Sequence, residues 1–234
     1  MSLLKADDIH TYYGRSYILQ GVSLEVREGE MVALLGRNGA GKTTTLKALT
    51  GLVKPKAGRI HFKSVDVTPF PAFKVARLGM GYVPQGRGLF PQMTVLENLR
   101  TGIRNKKNEA VLENVFSLFP VLKERLKQKA GTLSGGEQQS LAIGRSLLTQ
   151  PDILLLDEPT TGLMPIIVSN LKDILRRLNS SGMAILLVEE KVPFALALAD
   201  RLYFMTKGKV VYSDTRHNLE GKQEIFVRYL GVEV

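Results

Sequence analysis

The sequence contains no cysteine among its 234 residues, which excludes disulfide bonds and cysteine metal sites and fits a reducing compartment. Long apolar runs are also missing: the longest, residues 153–156 and 184–188, fall far short of the ~20 residues that span a bilayer. The first ten residues include acidic side chains and lack the apolar core of a signal peptide. From these absences we expect a chain that, unaided, stays in the cytoplasm.

Acidic residues are fewer than basic ones: the chain has 22 Asp and Glu and 32 Lys and Arg, which gives a formal net charge of +10. A basic excess can favour nucleic acid, an anionic membrane face or an anionic small molecule. The basic residues, however, form short dispersed groups without the interleaved aromatics on which a single-strand binder stacks bases. We therefore expect solvated surface charge and no nucleic-acid partner.

Internal repeats and linkers rich in glycine, serine or proline are absent as well, so we predict one continuous unit over residues 1–234. Several runs are apolar without alternation, as in parallel strands buried on both faces: residues 31–35, 153–156 and 184–188. A helical pattern follows each of them: residues 42–49, 165–178 and 192–199. This order indicates an α/β domain with right-handed crossovers.

Two regions break the alternation. Residues 1–30 and 58–83 carry β-type patterns that predict an antiparallel subdomain lying against the parallel core, and residues 86–150 predict a helical subdomain. Within the helical stretch two helix starts fit the capping box: Thr94 with Glu97, and Ser134 with Glu137. The remaining residues form the predicted core.

The most specific pattern follows the first apolar run. It reads Gly36-Arg37-Asn38-Gly39-Ala40-Gly41-Lys42-Thr43, with Thr44 next, and matches G-x-x-x-x-G-K-[S/T]. Glycines let successive backbone N–H groups wrap around phosphate oxygens, and the helix start adds about half a positive charge. We expect Lys42 to reach the β- and γ-phosphates of ATP and the Thr43 hydroxyl to bind Mg²⁺.

An acidic pair follows the apolar run at residues 153–156. Asp157 and Glu158 should emerge at the carboxyl edge of the sheet, where open α/β sheets bind ligands. We expect Asp157 to hold Mg²⁺ through water, and Glu158 to orient the attacking water or accept its proton, help that is worth roughly 10²–10⁴-fold. The loop and the acidic pair together predict a nucleoside triphosphatase.

One further segment separates the kinds of triphosphatase: Leu133-Ser134-Gly135-Gly136-Glu137-Gln138-Gln139. With it the sequence closely resembles the ABC ATPase family through nearly the whole chain. The resemblance implies a P-loop NTPase fold, with a parallel-sheet core, an antiparallel β subdomain and an inserted helical subdomain. It also implies that residues 134–137 cap the γ-phosphate of ATP held by a second subunit, which suits a helix start whose N–H groups face an anion.

Single positions of the family carry over as well. Tyr13, before Gly14, sits where family members stack an aromatic ring on adenine, although Tyr12 or Tyr17 could substitute. Gln85 matches the glutamine that contacts Mg²⁺ and the nucleophilic water. The resemblance thus implies that Gln85 belongs to the catalytic group with Lys42 and Glu158.

Two positions depart from the family pattern. Met164 stands where an aspartate usually contacts the partner subunit, and Glu190 stands where a histidine senses the γ-phosphate. A glutamate there would repel the γ-phosphate unless it were protonated or turned away. We therefore expect slow hydrolysis, or dependence on a partner subunit.

Four short segments narrow the resemblance to one subunit type: residues 131–139, 162–167, 188–190 and 229–231. They are similar to the smaller ATP-binding subunit of bacterial high-affinity branched-chain amino acid transporters. This implies a second ATPase subunit, identical or not, transmembrane permease subunits and, indirectly, a periplasmic binding protein. It also implies a peripheral position at the cytoplasmic face of the inner membrane.

Other functions stay open. The same motor could serve another cargo, such as lipid or lipopolysaccharide export. A soluble ABC ATPase acting on DNA or the ribosome would usually carry a coiled-coil insertion, zinc cysteines or two tandem units, and this sequence has none of these features. A regulatory nucleotide-binding module without turnover gains some support from Glu190 and Met164.

Overall fold

The computed structural model describes residues 2–103 and 109–232 of the chain, and within them six strands form the main sheet. The strand order is β10-β9-β3-β8-β7-β6. These strands are β3 Met31–Gly36, β6 Met80–Val83, β7 Ile153–Asp157, β8 Ala184–Glu189, β9 Arg201–Thr206 and β10 Lys209–Thr215. Neighbours pair in parallel except β10, which pairs antiparallel with β9. Strands β3, β7 and β8 are buried along their whole length, as predicted for strands covered on both faces.

A second sheet is antiparallel, with the order β2-β1-β4-β5. Its strands are β1 Ser2–Tyr13, β2 Ser16–Arg27, β4 Ala57–Phe62 and β5 Val65–Asp66. The buried side chains of this sheet, among them Leu4, Ile9 and Phe62, pack in one hydrophobic cluster with Leu34 and Leu46 of the core. The antiparallel sheet therefore lies against the parallel one.

The expectation that all of residues 58–83 belongs to the antiparallel sheet is wrong at its end. Helix α2, Ala72–Arg77, separates β4 and β5 from Met80–Val83, and this strand pairs in parallel with β7. Met80, Gly81 and Val83 are buried, as befits a strand of the parallel core rather than of a half-solvated sheet. Pairing partners come from distant sequence, so a short apolar run cannot reveal which sheet it joins.

Helices dominate residues 86–150, of which 104–108 lie outside the described residues. They are α3 Val95–Arg100, α4 Glu109–Leu118, α5 Pro120–Glu124 and α6 Gly135–Leu147, with a 3₁₀ turn at Ala130–Thr132. Both predicted capping boxes are present, at Thr94 with Glu97 and at Ser134 with Glu137. Buried side chains of these helices share one hydrophobic cluster with β7 and α7 Pro165–Ser180, which ties this region to the core.

The remaining helices are α1 Lys42–Leu49, α8 Val192–Leu196, α9 Arg216–Leu219 and α10 Gln223–Leu230. Helix α7 buries Leu171, Leu175 and Leu178, which are spaced so that they share one helix face. Helix α8 is shorter than the predicted 192–199. In the described part of the chain, no helix has the length and apolar character needed to cross a membrane. The carboxyl ends of β3, β7 and β8 meet at one edge, and the predicted site residues gather there.

Candidate nucleotide-binding site

The turn between β3 and α1 is held open by glycines. Gly41 has φ +111°, a conformation that other residues rarely adopt, and Gly36 lies so close to β9 that a Cβ would come 2.6 Å from the Met205 carbonyl oxygen. Among the described residues, no side chain caps the start of α1. Its first N–H groups are therefore available to an anion, as in other helix starts that bind phosphate.

The same turn is tied to the rest of the fold through Gly208. The Gly208 backbone N–H donates to the Ala40 carbonyl at 2.8 Å, and the Gly208 carbonyl accepts from the Gln20 N–H at 2.8 Å. Gly208 lies in the hairpin between β9 and β10. The phosphate-binding turn is thus supported by the hairpin on one side and, through it, by β2.

Lys42 points back into its own turn. Its ammonium donates to the Gly36 carbonyl at 2.8 Å and to the Arg37 carbonyl at 3.2 Å, and its side chain is only 4% exposed. The same Nζ lies 3.1 Å from Glu158 Oε1 and 3.3 Å from Glu190 Oε1. A buried ammonium needs such partners, because an unpaired charge in this position would be strongly destabilising.

Thr43 and Asp157 meet as the sequence predicts. The Thr43 hydroxyl donates to Asp157 Oδ1 at 3.0 Å, and the Tyr82 hydroxyl donates to Asp157 Oδ2 at 3.2 Å. Burial raises the pKa of Asp157, and the two hydroxyl donors oppose that shift. The pKa of Tyr82 is raised by burial and by the neighbouring Asp157, so the phenol remains a hydrogen-bond donor.

Glu158 follows at the turn after β7, in a backbone conformation with φ +47°. Its Oε2 accepts from Gln85 Nε2 at 3.1 Å and from the Thr161 hydroxyl at 3.4 Å, and its side chain is 8% exposed. The structure therefore brings together Lys42, Thr43, Asp157, Glu158 and Gln85. An uncommon backbone conformation at an acidic residue of this kind is typical of functional sites.

The residues predicted to meet a second nucleotide form a separate group. Ser134 Oγ accepts from the Glu137 N–H at 3.3 Å, and Glu137 Oε2 accepts from the Ser134 N–H at 2.8 Å. Glu137 Oε1 also lies 2.9 Å from Arg125 Nε. Gly135 and Gly136 form the first helical positions behind this cap. The group makes its own contacts at the start of α6 rather than joining the cluster around Lys42.

Tyr13 lies at the end of β1 and is 44% exposed. It is near enough to Tyr82 to add to the rise in the pKa of that phenol. The alternative aromatics are engaged with each other, because the rings of Tyr12 and Tyr17 stack with centroids 4.4 Å apart. Among the described residues, Tyr13 has no such stacked ring partner.

The family description for ABC transporters matches residues 19–161, more than half of the chain, and includes both the turn after β3 and the start of α6. The chain belongs to the ABC transporter family. Membership implies ATP hydrolysis coupled to transport.

Similar proteins of this family include both importer and exporter subunits. The chain is 43% identical over 232 residues to the high-affinity branched-chain amino acid transport ATP-binding protein BraG of Pseudomonas aeruginosa, covering 98% of this chain and 100% of that protein. It is 34% identical to the probable branched-chain amino acid transport ATP-binding protein LivF of Archaeoglobus fulgidus, covering 93% and 94%. It is 33% identical to the lipopolysaccharide export system ATP-binding protein LptB of Haemophilus influenzae, covering 99% and 98%.

Solved structures of ABC transporter cassettes share the fold. The ADP conformation of the cassette MJ1267 superimposes with a TM-score of 0.86 at 26% identity, covering 99% of this chain and 100% of that one. The dimeric cassette MJ0796 gives a TM-score of 0.81 at 26% identity, covering 91% and 98%. The predicted fold class, a P-loop core of the ABC ATPase type, is confirmed.

The two departures from the ABC family pattern occupy different settings. Met164 is exposed directly before α7. Glu190 is not turned away from the phosphate-binding turn: its Oε2 accepts from Asn38 Nδ2 at 3.1 Å, while Oε1 contacts Lys42. The sequence indicated that a carboxylate stands here but not that it bridges the two ends of the turn.

Two residues of this ABC ATPase site were not identified from the sequence. Tyr82 hydrogen-bonds Asp157, and Glu189 accepts backbone N–H groups from Thr160 at 3.2 Å and from Glu190 at 3.2 Å. Burial raises the pKa of Glu189, against these hydrogen bonds. A glutamate that ends a fully apolar run is a usable signal, because a buried carboxylate requires several donors. Tyr82 carries no such signal, since tyrosine is common in strands.

Proposed function

We propose that this chain binds ATP with Mg²⁺, hydrolyses it, and energises branched-chain amino acid uptake through separate membrane subunits. The observation that carries the proposal is the meeting of an uncapped helix start, Lys42 and the Asp157–Glu158 pair at one sheet edge. The 43% identity to BraG over the whole of both chains supports the cargo.

The phosphates are held by the turn and the first residues of α1. The backbone from Gly36 to Thr44 wraps the phosphate chain, Lys42 neutralises the β- and γ-phosphates, and Tyr13 stacks on adenine. Glu158 orients the attacking water and takes its proton, with Gln85 fixing the Glu158 carboxylate at 3.1 Å. Both side chains therefore act on the same water.

The residues present fit a magnesium ion. Thr43 and Asp157 offer a hydroxyl and a carboxylate whose oxygens are 3.0 Å apart, and Gln85, whose amide nitrogen donates to Glu158, would add an amide oxygen. Across the described ranges no group of three or more His, Cys, Asp or Glu could hold a metal, so the remaining ligands would be phosphate oxygens and water, the set that Mg²⁺ commonly takes. When bound, the ion would neutralise charge on the β- and γ-phosphates.

The proposal includes partners. A second ABC ATPase subunit, identical or different, presents its ATP to the start of α6 at Ser134, Gly135, Gly136 and Glu137, and the two subunits sandwich two nucleotides. Transmembrane permease subunits bind the pair at the cytoplasmic face of the inner membrane, and a periplasmic binding protein delivers cargo to them. The dimeric cassette MJ0796, with a TM-score of 0.81, supports the arrangement.

The test is ATP-driven leucine uptake into membrane vesicles that contain this chain, with ATP on its side of the membrane, together with permease subunits and a periplasmic binding protein. We expect Glu158→Gln to lower hydrolysis and uptake by about 10²–10⁴-fold because the general base is lost. Glu28→Gln, an equal charge change at an exposed turn, is the matched control. Absence of uptake, together with ATP-dependent release of lipopolysaccharide in the same vesicles, would favour the export function suggested by LptB.

A further inference from the structure

Glu190 joins the two ends of the phosphate-binding turn. Its Oε1 lies 3.3 Å from Lys42 Nζ and its Oε2 accepts from Asn38 Nδ2 at 3.1 Å. Asn38 lies early in the turn and Lys42 at its end, so a single carboxylate spans the space that the turn encloses. One of its oxygens thus contacts the ammonium on which the proposed function relies, and the other contacts a side-chain amide of the same turn.

Lys42 has more acceptors than protons. An ammonium has three N–H groups, and within the described chain Nζ contacts two backbone carbonyls and the carboxylates of Glu158 and Glu190. With both carboxylates ionised, the lysine and its two acids carry a formal charge of −1. Lys42 is the only buried Lys or Arg among the described residues. The surroundings of this cation therefore carry excess negative charge, although the turn is expected to attract phosphate.

The two acids differ in how firmly they are held. Glu158 is 8% exposed and accepts from Gln85 and Thr161, whereas the Glu190 side chain is 35% exposed. The backbone of Glu190 is fixed, because its N–H donates to the buried carboxylate of Glu189 at 3.2 Å. The side chain of Glu190 can thus leave toward solvent while its backbone stays in place.

We propose that Glu190 is a built-in competitor for the phosphates of the nucleotide. It contacts Lys42 and Asn38, and binding of ATP phosphates to the same groups requires its carboxylate to move out. Glu190 is a positioning residue that acts through Lys42, and it lowers the affinity of the free subunit for nucleotide. The inference rests on the proposed ATP binding and adds a residue that sets the affinity of the subunit for ATP.

The experiment measures binding of a non-hydrolysable ATP analogue with Mg²⁺ to the purified full chain, by calorimetry. Glu190→Gln keeps the shape and removes the charge, and Glu190→Ala removes the side chain. Glu28→Gln again controls for the change in net charge. Both Glu190 variants should bind at least about threefold more tightly than the wild type, because a partly exposed charged contact no longer competes for Lys42.

The direction of the change is decisive, since a merely structural role would make the variants bind more weakly. A gain below about threefold, or weaker binding, in both variants while the wild type binds overturns the inference alone. If neither wild type nor variants bind the analogue, the proposed function fails with it. Matching gains in both variants, with Glu28→Gln unchanged, support competition at Lys42.

Discussion

Two glycine-containing helix starts, those of α1 and α6, are predicted to face phosphate, yet they are built in opposite ways. The start of α1 has Gly41 at φ +111° and, among the described residues, no capping side chain. The start of α6 is closed by a full capping box, in which Ser134 and Glu137 satisfy each other's backbone N–H groups. The backbone N–H groups of the α1 start carry no side-chain cap, although Glu190 contacts Lys42 beside them, whereas the α6 start is capped by its own Glu137 carboxylate.

This difference indicates where nucleotide binds first. An anion approaching α1 meets uncapped N–H groups and displaces only the partly exposed Glu190 carboxylate from Lys42, whereas an anion approaching α6 must share or displace the Glu137 carboxylate that caps the helix. Strong binding to the free subunit should therefore depend on α1 alone. The α6 start would contribute only when a second subunit presents its phosphate with many other contacts.

The largest expected effect tests that order of binding. Lys42→Ala should weaken binding of an ATP analogue to the monomeric chain by about 10- to 150-fold, because one charged hydrogen bond contributes roughly 1.5–3 kcal/mol. Ser134→Ala should leave monomer affinity unchanged. Calorimetry on both variants decides the matter, and equal losses would show that the two starts act together in the monomer.

The next effect concerns the glycines themselves. Gly41→Ala should lower the free energy of unfolding by about 1–3 kcal/mol, because a side chain at φ +111° is strained and its Cβ would lie 2.8 Å from Met205 Cε. Gly135→Ala should change the free energy of unfolding by no more than about 1 kcal/mol in either direction, because the position is helical and its Cβ would meet only the flexible end of the Arg87 side chain, at 3.1 Å. Urea denaturation compares the two, and a large loss in Gly135→Ala would contradict the distinction.

A smaller effect is expected from removing the cap of α6. Ser134→Ala should lower the free energy of unfolding by about 1 kcal/mol, because the Glu137 N–H loses its acceptor. Ser134→Thr retains a hydroxyl and serves as the control. Thermal denaturation of both variants measures the cap, and a wild-type-like Ser134→Ala would mean that Arg125 and Glu137 suffice without it.

The smallest effect concerns the buried Glu189 carboxylate, which accepts from the backbone N–H groups of Thr160 and Glu190. The pKa of Glu189 is raised by burial, so the folded state binds its proton more tightly than the unfolded state. The stability of the wild type relative to Glu189→Gln should therefore increase as the pH falls from the folded pKa toward the ordinary glutamate pKa of 4.5. Denaturation at pH 7.5 and pH 5 tests this, and a relative stability that decreases on acidification would refute the assignment.

The sequence predicts the parts of the site that depend on short spacing. The turn from Gly36 to Thr43 and the capping box at Ser134 are local patterns, because the residues that define each motif lie within a few positions of one another in the sequence. The meeting of Thr43 with Asp157 also follows, because carboxyl ends of parallel strands share one edge.

Features that depend on tertiary pairing were not predictable. The sequence pattern predicts the wrong sheet for Met80–Val83 because its partner strand, β7, lies far away in the sequence. The hydroxyl of Tyr82 reaches Asp157 only because those two strands pair. The contact of Glu190 with Lys42 likewise requires β8 to lie beside β3, an order that periodicity alone does not determine.

The support of the turn by Gly208 bears on how this chain acquires its fold. The phosphate-binding turn has the most local sequence pattern in the protein, but the Ala40 carbonyl is paired by a residue close to the C-terminal end. Contacts between distant parts of a chain form slowly, because the intervening segment must first be closed into a loop. We therefore expect the hydrogen bonds that join Gly208 to Ala40 and Gln20 to form late in folding, after the locally encoded parts of the turn.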